Sequence, residues 1–182
     1  MNKSQMTPKD RAADFVGALR RARHDRGKLA ALRRGLTDNQ QLHVDAWPVV
    51  ASLGGDIGNP VFITVAALFA SHPEESNARS FGETCRRIAQ GDGKEIAASF
   101  ETRFRRLLAS GPVVDVTGQL RSWIRLAASK GVGVNYESLF ADLWNWTWYA
   151  DEIRVKWAKS FWQSGETTTV PADTQTTNPA KS

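Results

Sequence analysis

Sixteen of the 24 basic residues in this 182-residue sequence are arginines, and they fall in runs. Arg20, Arg21, Arg23, Arg26, Lys28, Arg33 and Arg34 lie between residues 20 and 34, with Asp25 the single acid among them. Residues 101 to 130 add two more runs, Arg103, Arg105 and Arg106 in one and Arg121, Arg125 and Lys130 in the other, against only Glu101 and Asp115. A guanidinium is a planar fork of donors that matches two phosphate oxygens, so Arg-weighted runs point to a polyanion as partner. One charge run on an amphipathic helix is ordinarily a solvated face. Three runs with so few local acids to pair them weigh the other way.

Bond-breaking chemistry finds little support. GDGKE at 91–95 shares the GK of a phosphate-binding loop, but Ile88 stands where that loop needs its first glycine and Glu95 where it needs Ser or Thr. GVGVNY at 131–136 lacks the third glycine of a dinucleotide fingerprint, and no strand precedes it. Cys85 lies beside Arg86 and Arg87, which favour a thiolate, yet no histidine is near it in sequence. The carboxylates are dispersed, apart from Glu74-Glu75 and Asp151-Glu152, so a two-metal nuclease site has no basis. The expectation is a protein that is not an enzyme and needs no cofactor or metal.

The remaining composition agrees with a binding protein. Net charge is +5, hydrophobic residues make up 41%, and one cysteine excludes an internal disulfide. His24, His43 and His72 are scattered rather than paired as metal ligands are. No apolar run reaches the roughly 20 residues that span a bilayer, and MNKSQMTPKD has no signal-peptide character, so a cytoplasmic location without membrane contact is expected.

These arginines must be carried on helices. Thr7-Pro8, Asn59-Pro60 and the pairs Thr37/Gln40, Ser80/Glu83 and Asp92/Glu95 all read as helix starts, while Gly111-Pro112 reads as a stop. The pattern predicts nine helices near 8–25, 28–35, 38–53, 60–71, 80–90, 94–110, 116–130, 136–147 and 149–163, hence an all-α protein. VFITV at 61–65 resembles a strand, but the cap before it and AALFA after it favour a helix. GDGK suggests two packed bundles, residues 1–91 and 92–163. Beyond Ser164 the Thr-rich tail has only Val170 as a large aliphatic, so 164–182 is expected to be disordered.

Stripes follow from the helical period. Phe15, Ala18, Leu19 and Ala22 form one, with Arg20, Arg21 and His24 opposite and a stop expected at Asp25-Arg26-Gly27. Leu29, Leu32 and Leu36 form another, leaving Arg34 outside and Arg33 at the margin. Ile96, Phe100, Phe104, Leu107 and Leu108 turn Arg105 and Arg106 outward and Arg103 to the flank, while Arg121 and Arg125 share one side of their helix. Five of the seven tryptophans lie between 136 and 162. Trp144 and Trp157 sit on core stripes; Trp146, Trp148 and Trp162 fall off them and are candidates for a partner surface.

FVGALRRARHDRGKLAALRRGL leading to AWPVV, then FITVAALFASHP, SFETRFRRLLAS and LFADLWNW…EIRVKWAKSFW, together resemble the CasB family, the small subunit of the type I-E CRISPR surveillance complex Cascade. The likeness runs from about residue 10 to 163 and rests on the order of these segments; Tyr136 stands where the family pattern has Trp. The resemblance implies an all-helical, two-bundle, non-enzymatic subunit present as a head-to-tail pair. Its partners are then guide RNA, target DNA, other Cascade subunits and a second copy of itself. Its role is to support the guide RNA–target DNA hybrid and the displaced strand during R-loop formation in antiviral defence. Family arginines in LRR and RFRR correspond to Arg33, Arg34, Arg103, Arg105 and Arg106, whereas Arg20, Arg21, Arg121 and Arg125 are candidates from helix geometry alone. Two other readings stay open at this level: a free-standing helical nucleic-acid-binding protein, and a structural adaptor whose arginines meet acidic protein partners.

Overall fold

A computed structural model describes residues 6–35, 44–91, 93 and 95–163. Among them the chain forms α1 (Pro8–Ala22), α2 (Arg26–Arg34), a 3-10 turn (Val44–Ala46), α3 (Trp47–Ser52), α4 (Pro60–Ser71), α5 (Phe81–Gln90), α6 (Ala98–Leu108), α7 (Val113–Lys130) and α8 (Tyr136–Trp162). The only β pairing among them is one bridge between Glu75 and Val134, so the all-α class stands. The Thr37/Gln40 cap, Leu36, His43, Asp92 and the tail from 164 lie outside the described residues.

The caps account for most helix ends. Thr7 and Asp10 form a reciprocal box at α1, and the hydrogen bonds from Thr7 hold the Asp10 carboxyl below its usual range. Asp25 does not end α1 as expected. The helix stops at Ala22, and the Asp25 carboxylate accepts from Lys28 N–H at 3.0 Å, so Arg26 and Gly27 open α2 instead. Ser80 holds the N-cap position of α5, but its hydroxyl makes no cap bond. Burial pushes the Glu83 carboxyl up, and hydrogen bonds from the Arg79 backbone and from the Arg87 and Arg79 side chains outweigh that and hold it low. The start expected at 94 shifts to Ala98, where Ala97 caps without a side-chain bond, and α7 begins at Val113, directly after Pro112 rather than at 116.

The last helix is two arms. A straight helix sets residues 142 and 157 about 22 Å apart at 1.5 Å per residue. Yet Asp142 accepts from Lys156 Nζ and from Trp157 Nε1, both at 2.7 Å, because Tyr149 leaves helical geometry (φ −129°, ψ 32°) and turns the chain back. This is the break expected between 147 and 149. Folding the arms together also explains Trp146, a residue expected on a partner surface. It is buried, its ring lies 5.2 Å from that of Trp157, and its Nε1 donates to Gly111 O. An off-stripe position on a straight helix becomes an inner one on a helical hairpin.

This hairpin joins the two halves of the chain. Phe140 and Tyr136 of the first arm meet Phe15, Phe62 and Phe69 of α1 and α4, while Trp157 and Phe161 of the second arm meet Phe81 of α5 and Phe104 of α6. Each aromatic pair is worth about 0.5–1.5 kcal/mol beyond its burial. Buried residues from Ala12 to Phe161 consequently form one hydrophobic cluster across both sides of the GDGK turn. Where α5 crosses the second arm the backbones nearly touch: a β-carbon on Gly82 would lie 2.0 Å from Trp157 O.

Candidate nucleic-acid interface

Of the three arginine runs, two meet at one cleft. Arg33 from the last turn of α2, Arg121 and Arg125 from α7, and Leu68, Ser71 and Ile124 line a cavity of about 340 Å³ that has no acid in its wall. The placement follows from packing, since both α2 and α7 pack on α4. Arg33, expected at the margin of its stripe, reaches across α4 and donates from Nε to Ala70 O at 2.7 Å. That carbonyl lies in the last turn of α4, where a cation is favoured by the helix dipole. The bond orients the guanidinium and leaves its two terminal nitrogens without a partner among the described residues. Arg125 makes no hydrogen bond or ion pair among them either.

The third run continues from this cleft. Arg103 of α6 donates to Ser122 Oγ of α7 at 3.3 Å, one helical turn from Arg125. Around α6, Phe104 and Leu107 turn inward, and Arg103, Arg106 and Arg105 fan across the exposed arc from the α7 side to the α8 side. Arg106 has no partner among the described residues. Arg105 lies 5.6 Å over the ring of Trp162, with only a long 3.7 Å contact to Glu101. The result is a band of five arginines, from Arg33 through Arg125 and Arg103 to Arg106 and Arg105, with Arg121 beside its origin.

The other candidates are placed elsewhere. Arg20 is held by Glu75 through two bonds of 2.7 and 2.8 Å and by Glu137 at 2.7 Å. Donating hydrogen bonds to Glu75 raises its pKa further, and its charge serves to join α1 to the 74–75 segment and to α8. Arg34 pairs with Asp45 at 2.9 Å, both groups about half exposed. Arg21 faces a different hollow of about 370 Å³, with Arg11, Asp14 and Phe15. These pairings join residues far apart in sequence, so nothing in the local pattern of residues 20 to 34 marks them.

Cys85, weighed above as a nucleophile, is not placed for that role. Cys85 is wholly buried within α5, and burial pushes its thiol well above the usual range, so the neighbouring arginines do not make it a thiolate. Native protein should therefore leave Cys85 unlabelled by iodoacetamide over the time in which denaturant-unfolded protein labels fully; rapid labelling of native protein would contradict its burial. Among the described residues no group of three His, Cys, Asp or Glu side chains could hold a metal ion, and no helix is long and apolar enough to cross a membrane.

Comparison with known proteins places the architecture. Residues 28–162 match the family model described as CRISPR-associated protein Cse2. The fold is similar to that of a Cse2-family CRISPR-associated protein from Thermus thermophilus, with a TM-score of 0.70 and 25% identity over 87% of this chain and 100% of that one. It is similar also to CasB from Thermobifida fusca, with a TM-score of 0.66 and 18% identity over 85% of this chain and 97% of that one. A chain from a structure described as a CRISPR RNA-guided surveillance complex gives a TM-score of 0.68 and 22% identity over 85% of this chain and 92% of that one. No curated protein matches the sequence. The all-helical architecture is thus that of a class of CRISPR-associated proteins. The chain belongs to the Cse2 family, the family to which the name CasB also applies.

Proposed function

We propose that this protein is a non-catalytic small subunit of a type I-E Cascade surveillance complex in the cytoplasm. There its arginine band holds nucleic-acid backbone, steadying the guide RNA–target DNA hybrid and the displaced strand while the R-loop forms. Its partners are the other subunits and a second copy of itself. The observation that carries this reading is the cleft in which Arg33, Arg121 and Arg125 converge with no acid in the wall. Family membership and the likeness to a chain of an RNA-guided surveillance complex support it. Such a subunit needs no base-reading groups, because guide pairing reads the sequence while the protein contacts backbone.

A salt titration of R-loop binding by reconstituted complex tests it. Removing one phosphate interaction lowers the slope of log affinity against log salt by about 0.9 on duplex and 0.7 on single strand. Arg33→Ala combined with Arg125→Ala should therefore flatten the slope by roughly 1.4 to 1.8 and weaken binding by one factor on unrelated sequences. Arg34→Ala, whose charge Asp45 already meets, should change the slope far less. An unchanged slope for the double variant in a fully assembled complex would make the band a solvated face. Failure of the complex to assemble would favour an adaptor whose arginines meet protein.

A further inference from the structure

We infer that Trp162 and Arg105 form a stacking platform for an unpaired nucleobase, so that the arginine band prefers single-stranded nucleic acid to duplex; the inference rests on the backbone reading above. Trp162 is the aromatic side chain against the far end of the band. Its ring stands steeply inclined to both Phe104 and Phe161, at 5.3 Å from each centroid, and these two are themselves stacked at 3.9 Å. The contacts fix the tilt of the indole without covering it, and the residue stays 41% exposed. Packing alone does not call for an indole here, because a leucine would fill the same edge of the core without leaving a broad ring in solvent.

Arg105 supplies the second layer. Its guanidinium lies 5.6 Å over the indole and its side chain is 69% exposed, held otherwise by the 3.7 Å contact to Glu101. A planar guanidinium above an indole presents the layered π surface on which bases stack, and the adjacent Arg106 offers a charge for the phosphate of the same nucleotide. Bases inside a duplex have both faces covered by their neighbours, so this platform can engage only an unpaired base. Trp148, although more exposed at 73%, has no arginine over its ring among the described residues; it sits at the elbow of α8 and lines a hollow with Asp56, Asn59 and Trp144 that holds none of the band's arginines.

The test uses the full chain and two labelled strands of about 16 nucleotides, the upper end of a site on a small single-strand-binding domain. One strand is oligodeoxyadenylate; the other is abasic, with the same length and charge. Stacking of one base is worth about 5- to 150-fold in affinity, so wild-type protein should bind the adenylate strand tighter by a factor in that range. Trp162→Leu should bind the two strands alike, and Trp162→Phe should keep most of the preference, which separates stacking from any loss of folding. Arg33→Ala with Arg125→Ala should weaken both strands by the same factor and preserve their ratio. Equal binding of the two strands by wild-type protein overturns the platform, and the backbone reading then survives if the double variant still weakens both. No effect of the double variant on either strand, or no binding at low salt, overturns both.

Discussion

Gly82→Ala is expected to destabilise the protein by about 3 kcal/mol, although in an ordinary helix interior the same change stabilises by roughly 1 kcal/mol. The sign is reversed by what the new methyl meets. A β-carbon at this position would lie 2.0 Å from Trp157 O, 2.6 Å from Trp157 C and 2.7 Å from Trp157 Cα. These are backbone atoms of the second arm of α8 and cannot swing aside as a side-chain end can. Relief requires moving that arm, and with it the contacts Phe81–Trp157 and Phe104–Phe161. Overpacking of a tight core costs about 1–3 kcal/mol and occasionally more, and a backbone clash of this depth belongs at the top of that range. At roughly 2–4 °C per kcal/mol for a domain of this size, the thermal midpoint should fall by about 6–12 °C. Thermal unfolding followed by circular dichroism decides it; a midpoint equal to or above wild type would show that α5 and α8 are not in this contact.

Asp142→Ala should cost a similar amount for a different reason. The carboxylate is 6% exposed and accepts one bond from Lys156 Nζ and one from Trp157 Nε1. Hydrogen bonds to a charged group contribute about 1.5–3 kcal/mol each, and the indole N–H of Trp157, fully buried, would be left with no acceptor. Half-exposed Lys156 regains water at little cost, so the loss should concentrate on the indole and total about 3 kcal/mol. Asp142→Asn keeps an oxygen acceptor for one donor and should lose less than half as much. Denaturant titration of the three proteins checks the order. Equal stabilities for wild type and Asp142→Ala would mean that the arms of α8 are held by apolar contact alone.

The stripes and the all-helical class could be read from the sequence because both depend on neighbours within one or two turns. Phe15, Ala18, Leu19 and Ala22 are buried as the helical period requires, as are Leu29, Leu32, Phe104, Leu107 and Trp157. Trp146 defeated the same rule, since the surface that buries it is the returning arm of its own helix, and periodicity carries no information on where a helix doubles back. For the arginines the division is sharper. Which of them face outward follows from the period, but which keep their charge available depends on Glu75, Glu137 and Asp45, distant acids that no local pattern connects to Arg20 or Arg34. The meeting of Arg33 with Arg121 and Arg125 is likewise a product of how α2 and α7 both pack on α4. The one local hint was Arg33's marginal position, where a long side chain can lie along a neighbouring helix.

That meeting has a thermodynamic corollary. The cleft exists only while α2, α4 and α7 are packed, so an anion seated there binds the native chain and finds no equivalent site on the unfolded one. Mass action then converts occupancy into stability: a ligand at a hundred times its dissociation constant adds about 2.7 kcal/mol. Free energies of unfolding for single domains are about 5–15 kcal/mol, so the increment is a substantial share of the whole. On the function proposed above, and under cellular quality control that removes chains in proportion to the time they spend open, a copy engaged with nucleic acid would outlast an orphan copy, and turnover would trim the pool toward what the assembly can hold.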